Sequence, residues 1–170
     1  MSAAVRDVIK GRRSVRSFRD EHIPEEHLRF VLEAGVWAPS GGNAQPWEFV
    51  IVREKSTIEK IKLFSPGLFG NPDVIVVLCV NKRRVRGGKH EELIALMDVA
   101  MAAQNMMLAA YSLGVGSCPI ASFNKSAIKE LLEIPEHVDP VLMLSLGYPD
   151  EWPKPPKKRP LEEVTHYEKY

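Results

Sequence analysis

The sequence predicts an α+β domain in which a few central strands are covered by helices. Two apolar runs, 74–80 and 141–146, are typical of buried strands, and the first is β-branched and unalternating. Elsewhere apolar residues recur at helical spacing, as at Leu28, Val31 and Leu32. Because helices and strands bury their apolar faces against each other, we expect one layered domain over residues 1–170.

The first half of the chain alternates helix and strand signals. A helix is expected to begin at Pro24, because proline tolerates the first helical position, and to stop before Pro39. Ser56 and Glu59 form a capping box that opens a further helix. In order, the predicted elements are a short helix at 5–9, a helix at 24–36, a strand at 47–52 and a helix through Leu63.

The second half is dominated by one long helix, predicted at about 91–113 and ended by Gly114. It is apolar on nearly every side, so we expect it to be central or to lie at a subunit interface, and its methionines to serve packing. Around it the sequence predicts a breaker-rich loop at 65–73, a helix capped by Asn124 or Ser126, a third buried strand at 141–146, and an extended Pro/Lys-rich C-terminal arm at about 149–170.

Composition excludes several classes of protein. A formal net charge of +1 argues against a nucleic-acid-binding or membrane-surface protein. The longest unbroken apolar run, 74–80, is far short of a membrane span, and the charged N-terminus does not resemble a signal peptide. Cys79 and Cys118 lack metal-site spacing. We therefore expect a metal-free, cytoplasmic protein that binds neither nucleic acid nor membrane.

Two segments carry groups suited to a polar, phosphorylated, flat ligand. The segment RRSVR at 12–16 concentrates guanidinium groups, which bind phosphate oxygens in pairs; alternatively it is a solvated basic turn. In PSGGNAQPW at 39–47 the glycines allow close approach of the backbone to a ligand. Its Asn43 and Gln45 amides both donate and accept, or they hold the turn itself.

Together with GSCPIASF at 116–123 and the basic segment at 147–160, these motifs resemble, in order and spacing, the nitroreductase family of FMN-dependent oxidoreductases. The resemblance covers essentially the whole chain. It implies a three-layer α/β/α fold with a central, mostly antiparallel sheet covered by helices. It also implies a homodimer with two FMN sites, each built from both subunits, and NAD(P)H as the electron donor.

The resemblance assigns the basic turn to the flavin. It implies that Arg12 contacts phosphate or ribityl oxygens, and that Arg13 and Ser14 hydrogen-bond nearby. It places Arg16 near the pyrimidine edge, where a fixed cation stabilises the reduced anion. Many relatives add a second basic residue before the buried strand, and the 65–73 loop offers none, so Arg16 is expected to act alone.

The other three segments supply the remaining contacts by the same resemblance. The 39–47 segment reaches the partner's cofactor, and the 116–123 segment covers the flavin ring and its N5 edge. The 147–160 segment returns to the phosphate, with Lys158 as an alternative to Lys157. Relatives often have Glu-Gly at positions 121–122, where this chain has Ala-Ser. Any role of that glutamate carboxylate is therefore lost in this chain. The residues implied are Pro39, Ser40, Asn43 and Gln45 in the first segment, Pro119, Ile120 and Ala121 in the second, and Gly147, Lys157 and Arg159 in the third.

The implied reaction is ping-pong transfer of electrons from NAD(P)H to nitroaromatics, quinones or similar small electron-poor acceptors. No catalytic side chain is expected, because the cofactor supplies the chemistry. Three alternatives stay open: reductive dehalogenation or flavin cleavage on the same scaffold, a non-enzymatic flavin-binding redox module, and an RNA-contacting protein that uses its 82–90 basic stretch. The short, basic connection between Val80 and Glu91 favours neither of the two enzymatic alternatives, since those relatives carry an extra lid there.

Overall fold

A four-stranded antiparallel sheet forms the centre of the computed structural model, which describes residues 2–85 and 87–170. The strand order is β1-β2-β4-β3, so β1 and β3 are the two edges. The strands are β1 (Trp47–Val52), β2 (Val74–Asn81), β3 (Gly116–Ile120) and β4 (Val138–Gly147). The helices in the described residues are α1 (Ser2–Gly11), α2 (Glu25–Val36), α3 (Lys55–Leu63), α4 (Lys89–Ser112) and α5 (Lys125–Leu131).

Alternate side chains of β2 enter two separate cores, one on each face of the sheet. Val76 and Leu78 pack in the core that α2 and α4 cover. Val77 lies in the second core, with Ile61 of α3 and Ile128 of α5. Successive side chains of a strand point to opposite faces, so a run without alternation is buried only when helices cover both faces. The predicted α/β/α layering is confirmed.

Two details of the prediction are wrong. No strand is predicted in the 116–123 segment, but Gly116–Ile120 forms the edge strand β3, paired with β4 from Gly116 opposite Gly147 to Ile120 opposite Met143. Pro119 is tolerated there because an edge strand needs fewer backbone donors. The Ser56–Glu59 capping box is not formed either: the helix begins two residues earlier than with Ser56 as its N-cap, and the Glu54 carboxylate accepts a hydrogen bond from the Ser56 N–H at 3.4 Å.

The remaining elements agree with the prediction to within a few residues. Asn124, not Ser126, caps α5 by accepting a hydrogen bond from the Ala127 N–H. The arm has no regular structure between Pro149 and Pro160, and one 3₁₀ turn follows at Leu161–Glu163. By length and composition α4 could cross a membrane, but half of its most apolar window is buried within this chain, as in the core helix of a soluble protein.

Candidate functional site

The basic turn at 12–16 runs along the outer edge of β3. The Val15 N–H donates to the Ser117 carbonyl at 2.9 Å, and Ser14 forms a parallel bridge with the same residue. A side chain on Gly116 would lie within 3.0 Å of the Val15 side chain, so only glycine allows this approach. The structure therefore brings two of the four predicted segments into direct contact.

The charges of this turn converge on Cys118, the residue that follows Ser117. Burial raises the pKa of the Cys118 thiol, while the nearby Arg16 and Arg12 charges and a hydrogen bond from Ser14 act against that rise. The thiol is therefore protonated at neutral pH and buried, which fits a packing role.

Arg12 and Arg13 do different things in the chain. Arg13 Nη1 donates to the carbonyls of Lys10, Gly11 and Arg12 at 2.7, 3.0 and 2.8 Å, so it caps the end of α1. The Arg12 Nη1 atom is buried and, within the described residues, has no hydrogen-bond partner. Ser117 Oγ, on the strand beside the turn, is likewise buried and has no hydrogen-bond partner among the described residues. An unpaired buried donor costs free energy, and a phosphate oxygen would satisfy it. These residues therefore fit the phosphate of FMN.

The loop at 65–73 also belongs to this site, although the sequence indicated no role for it. A side chain on Gly70 would collide with the Arg16 carbonyl oxygen, and one on Gly67 would collide with the Ser122 hydroxyl. Gly70 has a φ of +67°, which favours glycine. The closely spaced glycines of the loop are the only sequence signal that could have revealed this contact.

The start of the arm adjoins the turn. A side chain on Gly147, at the end of β4, would lie 2.7 Å from the Phe18 ring, and Phe18 forms a bridge with Pro149. Farther along, Lys157 and Arg159 are exposed. Arg159 Nη2 donates to the Glu163 carbonyl at 2.8 Å, inside the arm itself. Gly147 is thus at the site, while contact of the two basic residues with a phosphate stays a prediction.

The β3 residues predicted to cover the flavin differ in exposure. Pro119 and Ala121 are exposed, whereas Ile120 is 3% exposed and packs in the core beneath the sheet with Ile128. Pro119 and the backbone of this segment are therefore available to a ligand in this chain. The Ile120 side chain is occupied by the core.

The loop at 39–47 is held by a buried carboxylate. Asp98 on α4 is 2% exposed and accepts hydrogen bonds from the Gly41 N–H at 3.2 and 3.3 Å. Ser40 Oγ accepts one from the Gln45 N–H at 3.0 Å. Asn43 and Gln45 have φ values of 54° and 49° in the left-handed region. Ser40 and Gln45 thus stabilise the loop, and Pro39 and Asn43 are exposed on it.

Within one chain the two halves of the predicted site are far apart. The 39–47 loop leads into β1 at one edge of the sheet, and the 12–16 turn lies on β3 at the other edge. Adjacent strands are about 4.8 Å apart, so the two edges are separated by roughly 14 Å. Along α4 the loop contacts Asp98, whereas Gly11 contacts Tyr111, and the helix advances about 20 Å between these residues.

Comparison with known proteins agrees with this geometry. A sequence model described as the Nitroreductase family matches residues 9–64 and 59–148. The chain belongs to the nitroreductase family. Its fold is that of a nitroreductase, and the protein is an oxidoreductase enzyme.

Three similar proteins show the extent of the match. A protein of Methanothermobacter thermautotrophicus, whose name pairs NADH dehydrogenase with NAD(P)H nitroreductase, is 33% identical over 88% of this chain and 79% of the relative. The FMN reductase [NAD(P)H] of Bacillus subtilis is 30% identical over 93% of this chain and 71% of that enzyme. The crystal structure of a nitroreductase family protein of Clostridium difficile superposes with a TM-score of 0.85, at 27% identity, over 96% of this chain and 98% of that one.

Proposed function

We propose that this nitroreductase is an FMN-dependent enzyme that transfers electrons from NAD(P)H to small electron-poor acceptors such as nitroaromatics and quinones. The proposal rests mainly on two atoms that are buried without a hydrogen-bond partner among the described residues, Arg12 Nη1 in the turn and Ser117 Oγ on the strand that the turn follows. Burial of this nitrogen distinguishes the turn from a basic segment that is exposed to solvent throughout. The family and the names of the relatives support the choice of flavin and donor.

In this proposal the residues of the chain bind FMN and tune its reduction, and none acts as an obligatory acid or base. FMN, when bound, supplies the hydride-accepting and electron-donating chemistry. Arg12 holds the phosphate, and Arg16 places a fixed positive charge that favours the reduced, anionic state. Pro119 and the 65–73 loop border the open face of the flavin ring. Donor and acceptor use this face in turn, which is a ping-pong sequence.

The functional unit is a homodimer in this proposal. The separation of the two site halves within one chain supports it, because a second chain can bring its 39–47 loop to the basic turn of the first. A stripe of apolar side chains on α4, each between 38% and 53% exposed, supplies a surface for that contact. They are Leu93, Leu96, Met97 and Met101; Leu96 follows Leu93 by three residues, and Met97 and Met101 continue from Leu93 in steps of four, so all four lie on one helix face.

A cytoplasmic location also stays a prediction, supported by two cysteines that are both free and buried.

The test begins with the purified protein. We expect a flavin absorbance spectrum, a sedimentation coefficient of a dimer, and anaerobic bleaching by NADH or NADPH that menadione or nitrofurazone reverses. Halotyrosine turnover, or oxygen-dependent loss of FMN, would instead indicate the dehalogenating or flavin-cleaving reactions. A colourless protein that does not take up added FMN would overturn the proposal.

A further inference from the structure

A cavity of about 610 Å³ lies between the 41–46 loop, the turn at 83–85 and the first turns of α4. Its lining includes Gly42 and Asn43 of the loop, Arg83 and Arg84 of the turn, and Ile94 of α4, which contributes apolar surface. The cavity is separate from the basic turn at 12–16, and it opens beside the loop that we assign to the partner's flavin.

Among the described residues that line the cavity, Arg83 and Arg84 are the charged groups left available to a ligand. Neither Arg83 nor Arg84 takes part in an ion pair within residues 2–85 and 87–170, and both are exposed. Their neighbour Lys82 is different, because its Nζ lies 2.7 Å from Asp139 and it does not line the cavity. Two adjacent guanidinium groups without an ion-pair partner among the described residues therefore border one half-open cavity.

The two carboxylates of the cavity are already occupied by backbone donors. Glu91 Oε2 accepts from the Gly88 N–H at 2.9 Å, and Asp98 accepts from the Gly41 N–H. The backbone N–H groups thus partly compensate the negative charge of Glu91 and Asp98. The positive charge of Arg83 and Arg84 has no such compensation among the described residues. The cavity is suited to an anion with several oxygens, since guanidinium binds such groups through paired hydrogen bonds.

We propose that this cavity binds the phosphate end of the pyridine nucleotide donor. The inference rests on the proposed function, because it requires the nicotinamide to lie at a flavin bordered by Asn43 of the same loop. The dinucleotide carries a pyrophosphate, and NADPH carries a further phosphate on its ribose. Arg83 and Arg84 bind these phosphates, and they act on the binding of the donor rather than on electron transfer.

The test compares R83Q/R84Q with the wild-type holoenzyme. Calorimetric titration with NADP⁺ should show a dissociation constant raised about tenfold or more, because a hydrogen bond to a charged group is worth about 1.5–3 kcal/mol. In turnover, KM for NADPH should rise while kcat is unchanged. Dihydronicotinamide riboside, which has no phosphate, should keep its wild-type KM. K82Q is the matched control, since it removes a positive charge from the same turn but outside the cavity, and it should bind NADP⁺ like the wild type.

Other outcomes overturn the inference. One is unchanged NADP⁺ affinity in R83Q/R84Q, and another is an equal loss of affinity for the riboside. A third is a KM that rises only for an anionic acceptor such as 4-nitrobenzoate and not for nitrobenzene, which would assign the cavity to the acceptor. Failure of the proposed function can be distinguished from failure of this inference, because a protein that binds no flavin can still be titrated with NADP⁺.

Discussion

The rings of Tyr111 and Trp152 meet edge to face, with their centroids 5.0 Å apart. Tyr111 stands in the last turn of α4, and its hydroxyl occupies the place that a side chain on Gly11 would need. Trp152 belongs to the proline-rich arm. The contact therefore joins the ends of α1 and α4 and the start of the arm at one point, directly beside the basic turn at 12–16.

Replacing Trp152 with alanine should release the arm. An aromatic pair of this geometry is worth about 0.5–1.5 kcal/mol beyond its buried area, so limited trypsin cleavage after Lys157 and Lys158 should become several-fold faster. W152F retains an edge-to-face ring and should be cleaved like the wild type. If W152A and W152F show the same cleavage rate as the wild type, the contact does not hold the arm.

Replacing Arg12 with alanine should weaken FMN binding without unfolding the protein. The variant removes a buried guanidinium nitrogen that has no partner among the described residues, so the flavin-free protein should lose no stability. Loss of a charge-assisted contact worth about 1.5–3 kcal/mol corresponds to roughly ten- to a hundredfold weaker binding. Fluorescence titration with FMN and a thermal melt of the flavin-free protein measure the two effects.

Arg13 provides the contrasting variant in the same turn. It donates to three carbonyls at the end of α1, so R13A should lower the melting temperature of the flavin-free protein. The expected loss is about 1 kcal/mol, because these groups are partly exposed. Equal FMN affinities for R12A and R13A would show that Arg12 is not the principal phosphate ligand.

The buried framework could be predicted from the sequence because its signals are local. The β-branched run at 74–80 specifies a strand covered on both faces, and it forms β2. Strand β3 was missed because five residues that include Gly116 and Pro119 have little strand preference of their own. Their conformation is set by β4, through pairing such as Cys118 opposite Ser145. The start of α3 lies two residues before the predicted one because Glu54, a less common cap, competes with Ser56.

The site was only partly predictable for a similar reason. The sequence indicated that Arg12 to Arg16 form a functional turn, but it could not distinguish Arg13, whose guanidinium bonds to the end of α1, from Arg12, whose Nη1 is left without a partner. That difference depends on the direction in which the chain leaves the helix. The contact of Gly70 with the Arg16 carbonyl depends likewise on a loop conformation that composition does not specify.

Replacing Arg16 with alanine should retain FMN and lower its reduction potential. Arg16 is exposed, and among the described residues its side chain makes only a long, 3.5 Å hydrogen bond to the Ser14 carbonyl, so its removal leaves the turn intact. If its charge favours the reduced anion by about 1 kcal/mol, the two-electron potential should fall by roughly 20 mV. Anaerobic spectroelectrochemical titration measures the shift.

Arg19 is the control for this charge, since it pairs with Glu21 at 3.0 Å and lies over the Tyr148 ring. R19A should have the wild-type potential. A potential that is unchanged in R16A, or lowered equally in both variants, would remove the proposed role of Arg16.

Replacing Gly116 with alanine should move the basic turn away from β3. The added methyl group would lie 2.8–3.0 Å from three atoms of the Val15 side chain, which is closer than packed carbons allow. Relief of this overlap must lengthen the bond from the Val15 N–H to the Ser117 carbonyl, at an expected cost of about 1–3 kcal/mol in stability. Hydrogen exchange at the Val15 amide should accelerate, and FMN should bind more weakly because Arg12 moves with the turn.

G88A is the matched control, because a side chain at Gly88 meets no atom within 4 Å. Wild-type exchange at Val15 in G116A would show that the turn does not depend on β3 for its position.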